Sequence, residues 1–157
     1  MIGIDVSHES EEMERTAPPE KVMHVLERVL GMVGKDDCEL SCSFVSDGTM
    51  SNLNSSYRGK DGSTDILSFV QTDESDEFLF FREEGEPEVL GDIVISLDAM
   101  ERNCEEFSVA ADEELSRLLI HGVLHLTGWD HETNDVSEPM LVRQEALLEM
   151  LKKESFL

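Results

Sequence analysis

The stretch His121-Gly-Val-Leu-His125-Leu-Thr-Gly-Trp-Asp-His131 places three of the chain's five histidines within eleven residues. Residues four apart on an α-helix lie roughly 40° apart around the axis and about 6 Å apart along it. His121 and His125 therefore share one face and can reach one ion. Gly128 follows, and glycine most readily adopts the left-handed conformation that ends a helix. The chain can then reverse and bring His131 to the same point from outside the helix. Three neutral imidazoles without a fourth protein ligand in the motif leave a coordination position open to water, as in a catalytic rather than a structural zinc. The other two histidines, His8 and His24, stand alone and read as surface or filler residues.

The spacing H-x3-H-x5-H, with glycine three residues after the second histidine, is similar to that of the metzincin peptidases. Those enzymes place a glutamate directly after the first histidine as general base. Here that position is Gly122, so peptide hydrolysis by that route lacks its proton acceptor. An ion on these histidines can still lower the pKa of a bound water, or act as a Lewis acid on a phosphate oxygen.

Outward from the motif, the pattern predicts a helix over 112–127 with Leu115, Leu118, Leu119 and Leu126 turned inward. It predicts a last helix over 136–153 with Leu141, Leu148 and Leu151 facing the core. Val22, Val25, Leu26, Val29, Leu30 and Val33 form a core-facing stripe on a further helix that Gly34 ends. Strands are predicted at 1–6, around Cys38 to Phe44 where apolar residues alternate with Glu39, Ser41 and Ser43, at 66–70, and at 89–97. Asp47 and Asp98 are candidate N-caps for helices reaching Tyr57 and Phe107. The polar segment 7–20 reads as a loop, and the acidic segment 73–88 as a solvated insertion or, through Phe78 to Phe81, an edge strand. The expectation is one α+β domain over residues 1–157, a small mixed sheet of about four strands with several helices packed on it.

A second constellation, Tyr57-Arg58-Gly59-Lys60-Asp61-Gly62-Ser63-Thr64-Asp65, precedes the apolar run Ile66 to Val70. Arginine offers a planar fork of donors suited to phosphate oxygens, and lysine adds a point charge. The chain has only 12 Lys and Arg against 36 Asp and Glu, so paired cations beside a turn stand out. Arg117, four residues before His121, could add to a positive patch or pair within its helix with Glu113 or Glu114.

The segment HGVLHLTGWDH resembles the H-G-x-L-H-L-x-G-x-D-H signature of the YbeY family of bacterial endoribonucleases and rRNA maturation factors. NSSYRGKDGSTDILSF, from Asn54 to Phe69, is similar to that family's second block, and Leu90 to Ser96 resembles its strand preceding the long helices. The matches occur in the family's order and extend the resemblance over most of the chain. It implies a zinc-like ion on His121, His125 and His131 and an RNA-directed catalytic role for Arg58. It also implies single-strand-specific RNA cleavage, maturation of small-subunit rRNA and ribosome quality control, beside the small subunit or its assembly factors. Two features depart from the pattern: Val70 stands where the family has proline, and the segments 9–20 and 72–88 are unusually acidic.

The formal net charge of −24 works against general nucleic-acid binding, because a chain this acidic repels a polyanion at long range. A local patch of ion, Arg58 and Lys60 is what cleavage requires, with substrate delivered in a ribosomal context; DNA is not expected as a partner. No apolar run reaches the roughly 20 residues that span a membrane, and the first residues lack a cationic secretory leader. Cys38, Cys42 and Cys104 read as reduced, buried thiols, since Cys38 and Cys42 lie too far apart on one strand to bridge. Together these point to a cytoplasmic protein. Two rival readings remain open, a metallopeptidase or other zinc hydrolase and a non-catalytic assembly factor whose metal is structural.

Overall fold

A computed structural model describes residues 1–59, 62, 64–71 and 87–154. Its elements are β1 Ile2–His8, α1 Glu11–Thr16, α2 Pro19–Met32, β2 Cys38–Val45, α3 Asp47–Arg58, β3 Ile66–Val70, β4 Glu88–Ser96, α4 Leu97–Phe107, α5 Ala111–Leu126 and α6 Pro139–Lys153. The strands form one mixed sheet in the order β1-β2-β4-β3. β1, β2 and β4 run parallel and β3 is antiparallel to β4. The expected α+β architecture with four strands is what the described residues adopt.

Local sequence explains most of these elements. Pro19 starts α2 with its φ already helical, and Val22, Val25, Leu26, Val29 and Leu30 are its buried stripe. Cys38, Leu40, Cys42 and Phe44 bury one face of β2 as their alternation predicts. The sheet buries residues on both sides. Phe44, Ile93 and Ile95 join α2, α5 and α6 in the main core. Val45 and Val94, one residue along and so on the opposite face, pack with Met50 and Leu67 beneath α3. Leu90 is an extra residue between β2 and β4, where Leu40 pairs with Gly91 rather than with its neighbour. Gly91 has φ +137°, and a Cβ there would lie 2.0 Å from the Phe69 carbonyl oxygen. Only glycine makes that bulge.

Several expectations are corrected. The segment 7–20 is not a loop throughout, since β1 continues to His8 and α1 forms behind Ser10, whose hydroxyl accepts from Met13 N. Ser46 and Ser96 cap α3 and α4, each accepting from a backbone N–H three residues on. The carboxylates predicted as caps serve tertiary contacts. Asp47 pairs with Arg102 at 2.6 Å and accepts from Ser96 Oγ, and Asp98 accepts from Asp47 N. Leu97 begins α4 instead of ending β4. α6 starts at Pro139, three residues later than expected, and Leu141 is half-buried while Met140 and Leu147 join Leu148 and Leu151 in the core. Cys38 and Cys42 are buried free thiols, but Cys104 is partly exposed. The Phe78 to Phe81 run and the acidic stretch through Glu86 lie outside the described residues; Glu88 opens β4 and pairs with Lys35. No helix among the described residues is long and apolar enough to cross a membrane.

Candidate metal centre

α5 carries two of the three motif histidines because its apolar residues bind it to the core on one side. Leu115, Leu118, Leu119, Val123 and Leu126 are buried, which leaves His121 and His125 half-buried at its C-terminal end. The helix closes as the motif predicts. Gly128 has φ +105°, its N–H donates to the His125 carbonyl, and Trp129 N donates to the Leu124 carbonyl. This paired arrangement is the Schellman turn, and it sends the chain back so that His131 returns to α5.

One ligand nitrogen from each of His121, His125 and His131 lies within 4.8 Å of the others. The Nε2 atoms of His121 and His125 are 3.2 Å apart. Two nitrogens on a tetrahedral zinc at its usual bond lengths would be about 3.3 Å apart, so the pair has the spacing that an ion requires. Each ring's Nδ1 faces a different partner. His121 Nδ1 is 2.7 Å from Gln144 Oε1, His131 Nδ1 is 2.7 Å from the Thr133 carbonyl, and His125 Nδ1 is 4.0 Å from the Asp130 carboxylate. The two contacts at 2.7 Å are of hydrogen-bond length, and outer contacts of that kind orient imidazole ligands and set their tautomers. The C-terminal end of a helix carries the negative end of the helix dipole, which further favours a cation.

The electrostatics suit a ligand set. Burial pushes the His121 pKa down, with a further lowering from His131 and opposition from the Gln144 hydrogen bond and the charge of Asp65. Burial, then His121 and His131, push His125 down to about 4. Both rings are therefore neutral at pH 7 and hold lone pairs ready for a metal. A stability prediction follows. The folded His125 pKa lies below the roughly 6.5 of an unfolded histidine, so the unfolded chain binds more protons between those values. Chelator-treated protein is expected to keep this contribution above about pH 6.5 and to lose it as the pH falls toward 4. Thermal melts across that window, with NMR titration of His125, check it; a flat melting temperature between pH 7 and 5 contradicts it.

The other predicted residues separate. Arg58 ends α3, where Gly59 takes the left-handed cap at φ +65°. The loop beyond is tied by Asn54 Nδ2 to the Gly62 carbonyl and ends at Asp65. Asp65 accepts from Asn103, which also donates to Glu114 on α5. The charge of Asp65 also acts on His121, so this end of the loop faces the histidine end of α5. Lys60 lies outside the described residues. Arg117 takes the intrahelical alternative, pairing with Glu113 and Glu114, and additionally with Glu145. Lys21, Arg28, Lys35, Arg102 and Lys152 are likewise committed to carboxylates. Arg58 is exposed and has no ion-pair partner among the described residues. His8 sits against the Ala17 carbonyl at 2.7 Å and stacks on Phe44, away from the centre.

Gln144, Asp65 and Asp130 were not singled out by sequence reasoning. Asp130 lies within the histidine motif and could have been found there. Gln144 carries no local signal, because it meets His121 only through the packing of α6 on α5.

Known proteins are similar to this chain in sequence and in fold. The family model described as Endoribonuclease YbeY matches residues 4–152. An endoribonuclease YbeY of Treponema denticola is 44% identical over 135 residues, covering 85% of this chain and 84% of that protein. The Bacillus subtilis protein of the same name is 38% identical over 115 residues, 73% of each. A solution structure of a Thermotoga maritima protein superposes with TM-score 0.57 at 28% identity, over 96% of this chain and 90% of that one. With the family model spanning nearly its whole length and the three histidines gathered at one point, the chain belongs to the endoribonuclease YbeY family.

Proposed function

We propose that this chain is a metal-dependent, single-strand-specific endoribonuclease acting in small-subunit rRNA maturation and ribosome quality control in the cytoplasm. The observation that carries the reading is the gathering of three imidazole nitrogens at the end of α5 in a chain of this family. His121, His125 and His131 would hold the ion, and a set of three imidazoles suits zinc. When bound, such an ion acts as a Lewis acid on a phosphate oxygen and lowers the pKa of a bound water. Neutral ligands leave the ion's charge uncompensated, which favours an anionic substrate in a chain of net charge −24.

Arg58 would supply the second positive element. Its side chain is exposed at the start of the loop that ends at Asp65, and no described carboxylate neutralises it. A guanidinium there can bind a phosphodiester through two parallel hydrogen bonds and stabilise charge that develops on it. The acidity of the remaining surface repels free RNA, so productive encounter is assigned to the small subunit or its assembly factors.

The test is cleavage of a single-stranded rRNA fragment with and without chelator. Arg58→Glu is expected to retain stoichiometric metal by elemental analysis while cleavage falls by about two to three orders of magnitude. Undiminished cleavage by that variant removes Arg58 from the mechanism. The peptidase alternative is disfavoured by the contact of Gly122 with Ile93, which any side chain at that position would have to displace. A purely structural metal would be indicated if chelation unfolded the chain while ribosome association survived loss of the open coordination position.

A further inference from the structure

We propose that Gln144 is a positioning residue for the metal centre: held in one orientation by Glu145, it makes Nε2 of His121 the bare, ligating nitrogen. The inference rests on the metal reading above and concerns how the fold prepares the site. Gln144 lies on α6, is 7% exposed, and uses both ends of its amide. Nε2 donates to Glu145 Oε2 at 3.1 Å, and Oε1 faces His121 Nδ1 at 2.7 Å. An ionised carboxylate only accepts hydrogen bonds. Glu145 is kept ionised: burial opposes its charge, but the Arg117 and Gln144 hydrogen bonds outweigh that and hold its pKa below the usual carboxylate range. Arg117 grips Glu145 at 3.0 Å while also pairing with Glu113 and Glu114.

These constraints propagate in one direction. The carboxylate admits only the NH2 end of Gln144, so the amide oxygen must face His121. An amide oxygen only accepts, so His121 Nδ1 must carry the proton. His121 Nε2 is then left with its lone pair, pointing at the nitrogen of His125 3.2 Å away. A flipped amide would set its oxygen against the Glu145 carboxylate and its NH2 against Nδ1, moving the ring proton onto the ligating nitrogen. Both changes are unfavourable, so the Arg117–Glu145 pair selects the tautomer. The His131 ring is oriented from within its own turn by the Thr133 carbonyl, and His125 meets the nearby backbone of Trp129. His121 alone depends on a residue 23 positions away, so docking of α6 is coupled to competence for metal.

The experiment uses the full chain stripped of metal, titrated with zinc against a competing chelator and with cobalt(II) read by its visible spectrum. Gln144→Leu removes the acceptor and is expected to weaken binding by 10- to 100-fold, the usual effect of losing an outer-shell partner. Gln144→Glu combined with Glu145→Gln exchanges amide and carboxylate, so that position 145 supplies the NH2 donor and position 144 an acceptor for Nδ1–H; this double variant is expected to bind within about threefold of the parent. Equal binding by all three proteins, or equal weakening in both variants, overturns the proposal and leaves the metal reading intact. Failure of the parent chain to take up either ion overturns both. Long-range 1H–15N NMR on the metal-free parent reads the tautomer without any substitution. A proton on Nδ1 of His121 is expected, and a proton on its Nε2 overturns the assignment.

Discussion

Replacing His125 by alanine is expected to abolish metal uptake and RNA cleavage together. His125 supplies a nitrogen 3.2 Å from His121 Nε2, and only three ligating groups gather at the site among the described residues. Loss of an outer-shell partner alone typically weakens metal binding 10- to 100-fold, so loss of a ligand should exceed about 100-fold and leave the site empty at ordinary metal concentrations. The fold should survive. His125 is half-buried at the end of α5 and its burial disfavours its charged form, so the metal-free variant should melt close to the metal-free parent at pH 7. Elemental analysis, melting curves and gel assays on a single-stranded RNA check the three parts. Undiminished cleavage by the metal-free variant would reject the metal-dependent mechanism outright.

The second large effect is expected on stability, from Gly122→Glu. A Cβ at Gly122 would lie 2.7 Å from Cδ1 and 2.9 Å from Cγ1 of Ile93, a side chain that is itself fully buried on β4. Helix and sheet therefore meet closely at a glycine, and any larger residue must displace Ile93. Alanine must push Ile93 aside, an overpacking cost of about 1–3 kcal/mol, partly offset by the roughly 1 kcal/mol that alanine gains over glycine in a helix. Glutamate would add four heavy atoms beyond Cβ, three of them a buried, unpaired carboxylate. Its cost should approach the whole stability of a domain, about 5–15 kcal/mol, and the variant is expected to be unfolded by circular dichroism. The same contact explains why this motif lacks the glutamate of the peptidases it resembles in spacing. A Gly122→Glu protein that folded normally and digested casein would overturn that explanation.

The gathering of the three histidines was legible because its geometry is local. Four-residue spacing on a helix and one glycine bend suffice to gather His121, His125 and His131, and no distant contact is needed to foresee it. The apolar stripe of α2 and the alternation of β2 were legible for the same reason. The helix starts were less so. Ser46 and Ser96 lie one and two residues before Asp47 and Asp98, and each of the four is a competent cap by type. Which one caps depends on where Arg102 and the neighbouring helix draw the carboxylates. The fate of Arg117 was open in the sequence for a related reason, and Glu145 of α6 helped to decide it.

By itself, the sequence of this protein determined the alternation of helices and strands apart from α1, the identity of the three histidines and the glycine that turns the chain between the second and third. Periodicity and turn chemistry act over a few residues and leave their mark in the order of the letters. The packing of α6 on α5, the close approach of Gly122 to Ile93, and the line from Arg117 through Glu145 and Gln144 to His121 were decided only in the tertiary structure. Those contacts join positions that share no spacing rule, and a tautomer is chosen by whichever acceptor the folded chain sets against the ring.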